Sequence, residues 1–132
     1  MSAKTLALRG TIQTGKAEGS EFLRLEWVRK QIENKLGFTP FPGTLNIKLN
    51  EDDAVKLKKI IKEAQPIEIV PEAYFCRGRC YKTTINDESS CIILIPDVPD
   101  YPDNLIEIVS PDNLRKKLRL ADGDVVEIKL SV

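Results

Sequence analysis

Four short segments hold the residue types that could do chemistry. Gly15-Lys16-Ala17-Glu18-Gly19 sets a lysine between two glycines. Such a loop can turn several backbone N–H groups toward one anion and so suits a phosphate. It is equally what a plain hairpin turn looks like, and it is neither a G-x-x-x-x-G-K-[ST] loop nor a G-x-G-x-x-G turn. Gly43-Thr44-Leu45-Asn46 opens a second segment. On a strand, Thr44 and Asn46 project from one face. Their hydroxyl and amide oxygens are hard neutral donors of the kind Mg²⁺ accepts beside water and phosphate. The same pair would also serve as the outward polar face of a half-buried strand. The third segment is Ser110 to Lys117, with Ser110 as a helix N-cap and Pro111 as the first helical residue. A helix beginning there would offer free N–H groups to an anion, with Arg115, Lys116, Lys117 and Arg119 nearby; it could equally be a solvated basic face. The fourth is Glu107, a carboxylate between Ile106 and Ile108. It either points outward by alternation, accepts hydrogen bonds from a ligand, or acts as a general base.

The elements that must position these residues are short strands with three inserted helices. Leu6, Leu8, Gly10 and Ile12 alternate with Ala7, Arg9, Thr11 and Gln13, which predicts a strand with Gly10 at a bulge or close approach. Glu21 to Leu25 resumes an alternating pattern. Leu25, Val28, Ile32 and Leu36 fall at helical spacing, and Gly37 is placed to end that helix. Pro40 and Pro42 force an irregular passage into a strand over 44–49. Asn50 then caps a second helix, with Glu51, Asp52 and Asp53 in its first turn and Pro66 beyond its end. Residues 67–70, about 75–85, 90–95, 105–109 and 125–130 read as strands. Asp97 to Asn104 is a Pro- and Asp-rich loop, and Asp122-Gly123-Asp124 is a turn. Leu114, Leu118 and Leu120 supply the apolar contacts of the third helix. Many short strands with few helices suggest a small β-barrel rather than a parallel βαβ sheet.

Composition narrows the chemistry. The 132 residues, 42% hydrophobic and 30% charged, suit one globular domain spanning 1–132. There is no histidine, which excludes a Ser-His-Asp triad, a Cys-His pair and a histidine metal ligand. The 20 basic and 20 acidic residues cancel, a poor balance for tight nonspecific nucleic-acid binding. Residues 1–66 carry 12 basic and 8 acidic residues and 67–132 carry 8 and 12, a polarity that would suit an anion on one side. No apolar run approaches a membrane span, and Met1 to Leu8 is too short and broken for a signal peptide. Cys76, Cys80 and Cys91 are an odd set whose C-x3-C spacing fits neither a four-ligand zinc site nor a C-x-x-C redox pair. Free thiols in a reducing cytoplasm are expected.

Singly these signals are weak, but their order and spacing are specific. The sequence resembles the archaeal CTP-dependent riboflavin kinases. The resemblance rests on Gly15-x-x-Glu18-Gly19-x-x-Phe22-Leu23 and on Leu36-Gly37-Phe38 leading into Pro42-Gly43-Thr44-Leu45-Asn46-Ile47-Lys48-Leu49. It continues through Ile106-Glu107-Ile108-Val109-x-Pro111-x-x-Leu114-Arg115 and Leu120-x-Asp122-Gly123-Asp124-Val125, so it covers nearly the whole chain. It implies a mainly β fold, a small six-stranded cradle-loop barrel with three short inserted helices. It implies transfer of the γ-phosphoryl group of CTP to the 5′-hydroxyl of riboflavin, giving FMN and CDP. It places the nucleotide on Lys16, Ala17, Glu18, Gly19, Ser20 and Glu21 and on Asn113, Leu114, Arg115 and Lys116. It makes Thr44 and Asn46 ligands of Mg²⁺ and gives Glu107 the flavin, as an orienting residue or base. The chain departs from the family pattern at Ala17, often a glycine, and at Pro99, where the family tends to place a flavin-contacting threonine. A cytoplasmic monomer with no nucleic-acid or membrane partner is expected. The alternatives are a DNA-binding barrel of the swapped-hairpin type, which the Leu120 to Ile128 ending also resembles, and a relative that binds flavin or nucleotide without catalysis.

Overall fold

The computed structural model of the protein describes residues 5–14, 22–71 and 77–131. Among these, seven strands and three helices run in the order β1 (Thr5–Gln13), α1 (Glu26–Leu36), β2 (Leu45–Leu49), α2 (Glu51–Glu63), β3 (Ile67–Ile69), β4 (Gly78–Ile85), β5 (Ser89–Pro96), β6 (Leu105–Val109), α3 (Leu114–Lys117) and β7 (Val125–Ser131). Each strand pairing is antiparallel. The sheet order is β3-β4-β5-β6-β2-β1-β7, and β4 also pairs with β7. Six strands therefore close on themselves as a barrel, with β3 appended to the outside of β4. Closure leaves no free edge among the six, the usual solution for a small all-β core.

Alternation divides the side chains between two cores. The interior holds Leu8, Ile12, Leu45, Ile47, Ile93, Ile106, Ile108, Ile128 and Leu130, and α2 adds Ala54 and Leu57. Gly10 is needed where β1 crosses β2: a Cβ there would stand 2.5 Å from Ile47 Cγ2 and 2.6 Å from the Lys48 carbonyl oxygen. On the outer face, Cys80, Ile92, Leu94 and Val109 form a second cluster with Phe22, Leu23 and Ile69 under Val28 and Ile32 of α1. Val28 and Ile32 are fully buried, each contributing roughly 1.5–3 kcal/mol.

The helix ends follow their capping residues. Gly37 closes α1 in the left-handed region at φ 81°, its N–H donating to the Glu33 carbonyl. Asn50 caps α2, accepting from the Asp53 N–H at 2.8 Å, and Asp53 in turn accepts from the Arg9 N–H at 2.7 Å. That bond ties α2 to β1. The outer side of β3 is covered from α1: Gln31 donates to the Val70 carbonyl and accepts from its N–H, and Lys35 donates to the Glu68 carbonyl.

Three sequence expectations change. The alternating run over 21–25 is not a strand in its described part. Residues 22–25 turn, and their apolar side chains pack beneath α1. The strand expected from about residue 75 begins at Gly78. The third helix does not start at Ser110-Pro111. Ser110 instead accepts from the Asp112 N–H at 3.1 Å, and Asn113 is the N-cap of a single turn, Leu114–Lys117. A turn ending in a second good cap competes successfully with a proline at the first helical position. No helix among the described residues is long and apolar enough to cross a membrane.

Candidate functional site

Strand register brings the candidate residues together. Gln13 opposes Asn46, Asn46 opposes Glu107, and Glu107 opposes Leu94. Directly opposed residues share a face, so this row crosses β1, β2, β6 and β5 on the outside of the barrel. Gln13, Asn46 and Glu107 make it polar, and Leu94 at its end packs in the cluster under α1. Alternation alone would put Asn46 and Glu107 in water, yet Asn46 is 6% exposed and Glu107 is 0% exposed.

Two hydroxyls bind the buried carboxylate. Thr44 Oγ1 donates to Glu107 Oε1 at 2.7 Å, and the Tyr101 hydroxyl donates to Glu107 Oε2. A buried carboxylate costs several kcal/mol unless such donors replace its water. Tyr101 arrives from the loop between β5 and β6. Pro99 and Asp100 make a turn there, with Asp100 at φ 62°, and the chain returns over Glu107. The loop is held at its base by Asp97 N–H to the Arg77 carbonyl and by Leu49 N–H to the Asn104 carbonyl. Gly43, at φ 113°, makes the bend that delivers Thr44 to the other side of the carboxylate.

Thr44 and Asn46 also meet each other: Oγ1 and Oδ1 are 3.4 Å apart. Thr44 has one hydroxyl proton, and its shorter bond goes to Glu107. Its oxygen stands beside the amide oxygen of Asn46. Two adjacent ligands of an octahedral Mg²⁺ at ~2.1 Å would stand about 3 Å apart, so this pair needs to close by only a few tenths of an ångström. The donor set fits a hard cation held by few protein oxygens. Among the described residues no group of three or more Asp, Glu, Cys or His could hold a metal by itself.

Two cavities flank the cluster. One, of about 240 Å³, lies between the Phe41–Leu45 segment and the start of α3, with Thr44, Asn113, Leu114 and Arg115 in its lining. Its two walls are tied by the Phe41 N–H donating to the Ser110 carbonyl at 2.7 Å. The other, of about 320 Å³, lies between α2 and the β5–β6 loop, with Tyr101 in its lining. The Glu107 carboxylate thus binds one hydroxyl from each cavity's wall.

The remaining sequence candidates divide. Arg115 lines the smaller cavity but is engaged: its Nη2 donates to the Gln13 carbonyl at 3.0 Å and to Asp122 Oδ1 at 2.7 Å. Thr14 donates to the other Asp122 oxygen, so Asp122 anchors the strand end that leads into the glycine loop. Leu114 is buried in the interior core, so only its backbone can serve the cavity. Lys116 is exposed and Lys117 pairs with Asp112 at 3.0 Å. The helix starts at Leu114 and not at Pro111, so the N–H groups of its first turn are those of Leu114 and Arg115, that of Lys116 being taken by Asn113 Oδ1. Lys16, Ala17, Glu18, Gly19, Ser20 and Glu21, and with them Cys76, lie outside the described residues. Cys80 and Cys91 are buried free thiols, and burial pushes both up to about 12. They are structural, not reactive.

A family model labelled CTP-dep_RFKase, and described as a domain of unknown function, DUF120, matches residues 12–130. The chain belongs to this family. Curated members of similar sequence are named riboflavin kinases. One from Methanospirillum hungatei is 41% identical over 133 residues, 98% of this chain and 59% of its own length. One from Saccharolobus solfataricus is 36% identical over 138 residues, all of this chain and 78% of the relative. One from Archaeoglobus fulgidus is 35% identical over 130 residues, 96% of this chain and 55% of the relative. The chain thus spans little more than half the length of several of the relatives it matches.

Sequence reasoning passed over Tyr101. Its only signal was an aromatic residue in a proline-stiffened loop, six residues before Glu107. Which acceptor it reaches depends on the turn at Pro99 and Asp100.

Proposed function

We propose that the protein phosphorylates riboflavin with CTP, giving FMN and CDP. The observation that carries this reading is the Thr44–Glu107–Tyr101 cluster standing between two cavities. A transfer between two bound substrates needs two sites that meet at one polar point. Membership of the riboflavin kinase family supports the substrate pair, and the family label supports CTP as donor.

The donor phosphates occupy the smaller cavity. Thr44 and Asn46 would hold Mg²⁺ there, and when bound the ion offsets the negative charge of the transferred group. Arg115 adds positive charge beside it, positioned by Asp122. The N–H groups of Asn113 to Arg115, the Lys116 side chain and the Lys16–Glu21 loop hold the rest of the nucleotide. Riboflavin takes the larger cavity, with its 5′-hydroxyl toward Glu107. Each carboxylate oxygen has two lone pairs, so Glu107 can accept from Thr44, Tyr101 and the substrate hydroxyl together. The hydroxyl oxygen forms its bond to the γ-phosphorus, the bond from that phosphorus to the β–γ bridging oxygen breaks, and CDP leaves with that oxygen. Glu107 orients the attacking hydroxyl and accepts its proton as the bond to phosphorus forms. Phosphoryl transfer asks little more of the protein than this positioning and charge stabilisation, which suits a chain without histidine.

The test is incubation with riboflavin, Mg²⁺ and either CTP or ATP, with FMN separated and quantified. FMN formed faster with CTP is expected. Product from neither nucleotide rejects the reading, and equal rates reject the cytosine preference.

A further inference from the structure

Arg79 lines the larger cavity. The cavity's lining is mixed: Leu57 and Ile61 of α2 and Ile95 of β5 are apolar, Lys62 and Asp97 are charged, and Arg79 reaches it from β4. Arg79 Nε is buried and has no hydrogen-bond partner among the described residues. Its natural ion-pair partner is elsewhere: Glu68 opposes Arg79 in register, but its carboxylate pairs with Arg77 at 3.6 Å. Of the other two cations on the cavity wall, Lys58 and Lys62, Lys58 is balanced by Asp103 at 3.3 Å. The Arg79 guanidinium lies beside the Tyr81 hydroxyl, which is buried and likewise has no well-formed hydrogen bond among the described residues; burial raises the pKa of that hydroxyl, and the charge and nearby N–H groups of Arg79 lower it. An orphaned buried N–H costs free energy comparable to a lost hydrogen bond, and a fold keeps one mainly where a ligand completes it.

We propose that Arg79 is the specificity-determining residue of the acceptor cavity, its guanidinium donating to a carbonyl oxygen on the polar edge of the acceptor's ring. This rests on the reading of the larger cavity as the riboflavin site. Riboflavin's ring is flat and apolar over most of its area, with two carbonyl oxygens on one edge. The apolar part of the lining takes the face, and the Arg79 guanidinium selects a ring that presents an acceptor. A ring with a donor at that edge leaves Arg79 unpaired and is rejected, as polar sites reject analogues that lack a partner.

The probe is lumichrome, the ring without its polyol chain, which needs neither nucleotide nor turnover. Its binding is followed by fluorescence for the wild type, Arg79→Met and Arg79→Lys, alongside thermal midpoints without ligand. Arg79→Met is expected to weaken lumichrome binding about ten- to hundredfold. Its unliganded midpoint should hold or rise, because the variant removes an unsatisfied buried donor. Arg79→Lys keeps the charge without the planar fork and should stay weakened about tenfold. Equal affinity in all three proteins overturns the assignment. So does a midpoint that falls in both variants in step with affinity, which marks a structural arginine. Lumichrome that fails to bind a wild-type protein that makes FMN also overturns it, while the kinase reading stands. Binding that depends on Arg79 in a protein that makes no FMN supports Arg79 and rejects the kinase reading.

Discussion

Replacing Tyr101 with phenylalanine removes one oxygen from the centre of the site and leaves the ring in place as a cavity wall. Glu107 is 0% exposed, so water cannot take over the lost donor. A hydrogen bond to a charged group contributes about 1.5–3 kcal/mol, and leaving a buried acceptor one donor short costs on that scale. In a chain of this size each kcal/mol moves the melting midpoint by roughly 3–5 °C, so Tyr101→Phe should melt about 5–15 °C lower. The carboxylate that holds Thr44 at 2.7 Å is also less firmly placed. Turnover should fall by about tenfold, equivalent to ~1.4 kcal/mol of barrier, with the KM for nucleotide little changed. The assay is a double-mutant cycle with Glu107→Gln, read by thermal melting and by FMN formation. A coupling near zero between positions 101 and 107 would refute the clamp, as would a Tyr101→Phe protein with wild-type midpoint and turnover.

Other consequences are simpler to test. Asn46→Ala should lower FMN formation by orders of magnitude and raise the Mg²⁺ concentration needed for half-maximal rate; near-native turnover removes Asn46 from the ligand set. Gly10→Ala should destabilise the barrel by about 1–3 kcal/mol in urea melts, because its Cβ would collide with Ile47 and the Lys48 backbone. Asn50→Ala should cost about 1 kcal/mol through the lost α2 cap, measured in the same way. Burial pushes the Cys80 and Cys91 thiols from 9.0 up to about 12, so the folded chain keeps two protons that the unfolded chain releases. Their contribution is intact below pH 9 and is lost as the pH rises toward about 12. A Cys80→Ala, Cys91→Ala double variant should show a shallower alkaline decline in unfolding free energy.

The strands were legible because a closed barrel imposes period two on nearly every segment. Leu6 to Gln13, Thr44 to Leu49 and Leu105 to Val109 carry that pattern with little interference. The caps at Gly37 and Asn50 were legible for a local reason, since their own conformation and side chain satisfy the helix ends. What sequence could not carry was the second layer. Phe22 to Leu25 alternates like a strand, but those side chains are spent on the cluster beneath α1. Ser110 and Pro111 look like a helix start, and only tertiary packing of Leu114 decides that the turn begins at Asn113. Thr44, Asn46 and Glu107 could be named from the resemblance. That they form one buried cluster follows from the β2–β6 register and a hydroxyl brought from residue 101, both long-range facts. Arg79 had no sequence signal, because an orphaned donor is visible only when its neighbours are in place.

The claim at the centre of this account is that two substrates meet at Glu107 from separate cavities. A crystal structure with CDP, Mg²⁺ and FMN tests it most directly. The account predicts the metal on Thr44 and Asn46, the CDP phosphates in the cavity beside Asn113 to Arg115, and the flavin ring between α2 and the Tyr101 loop, its phosphate end at Glu107. A flavin ring in the cavity beside Asn113, or a metal held away from Thr44 and Asn46, would contradict it.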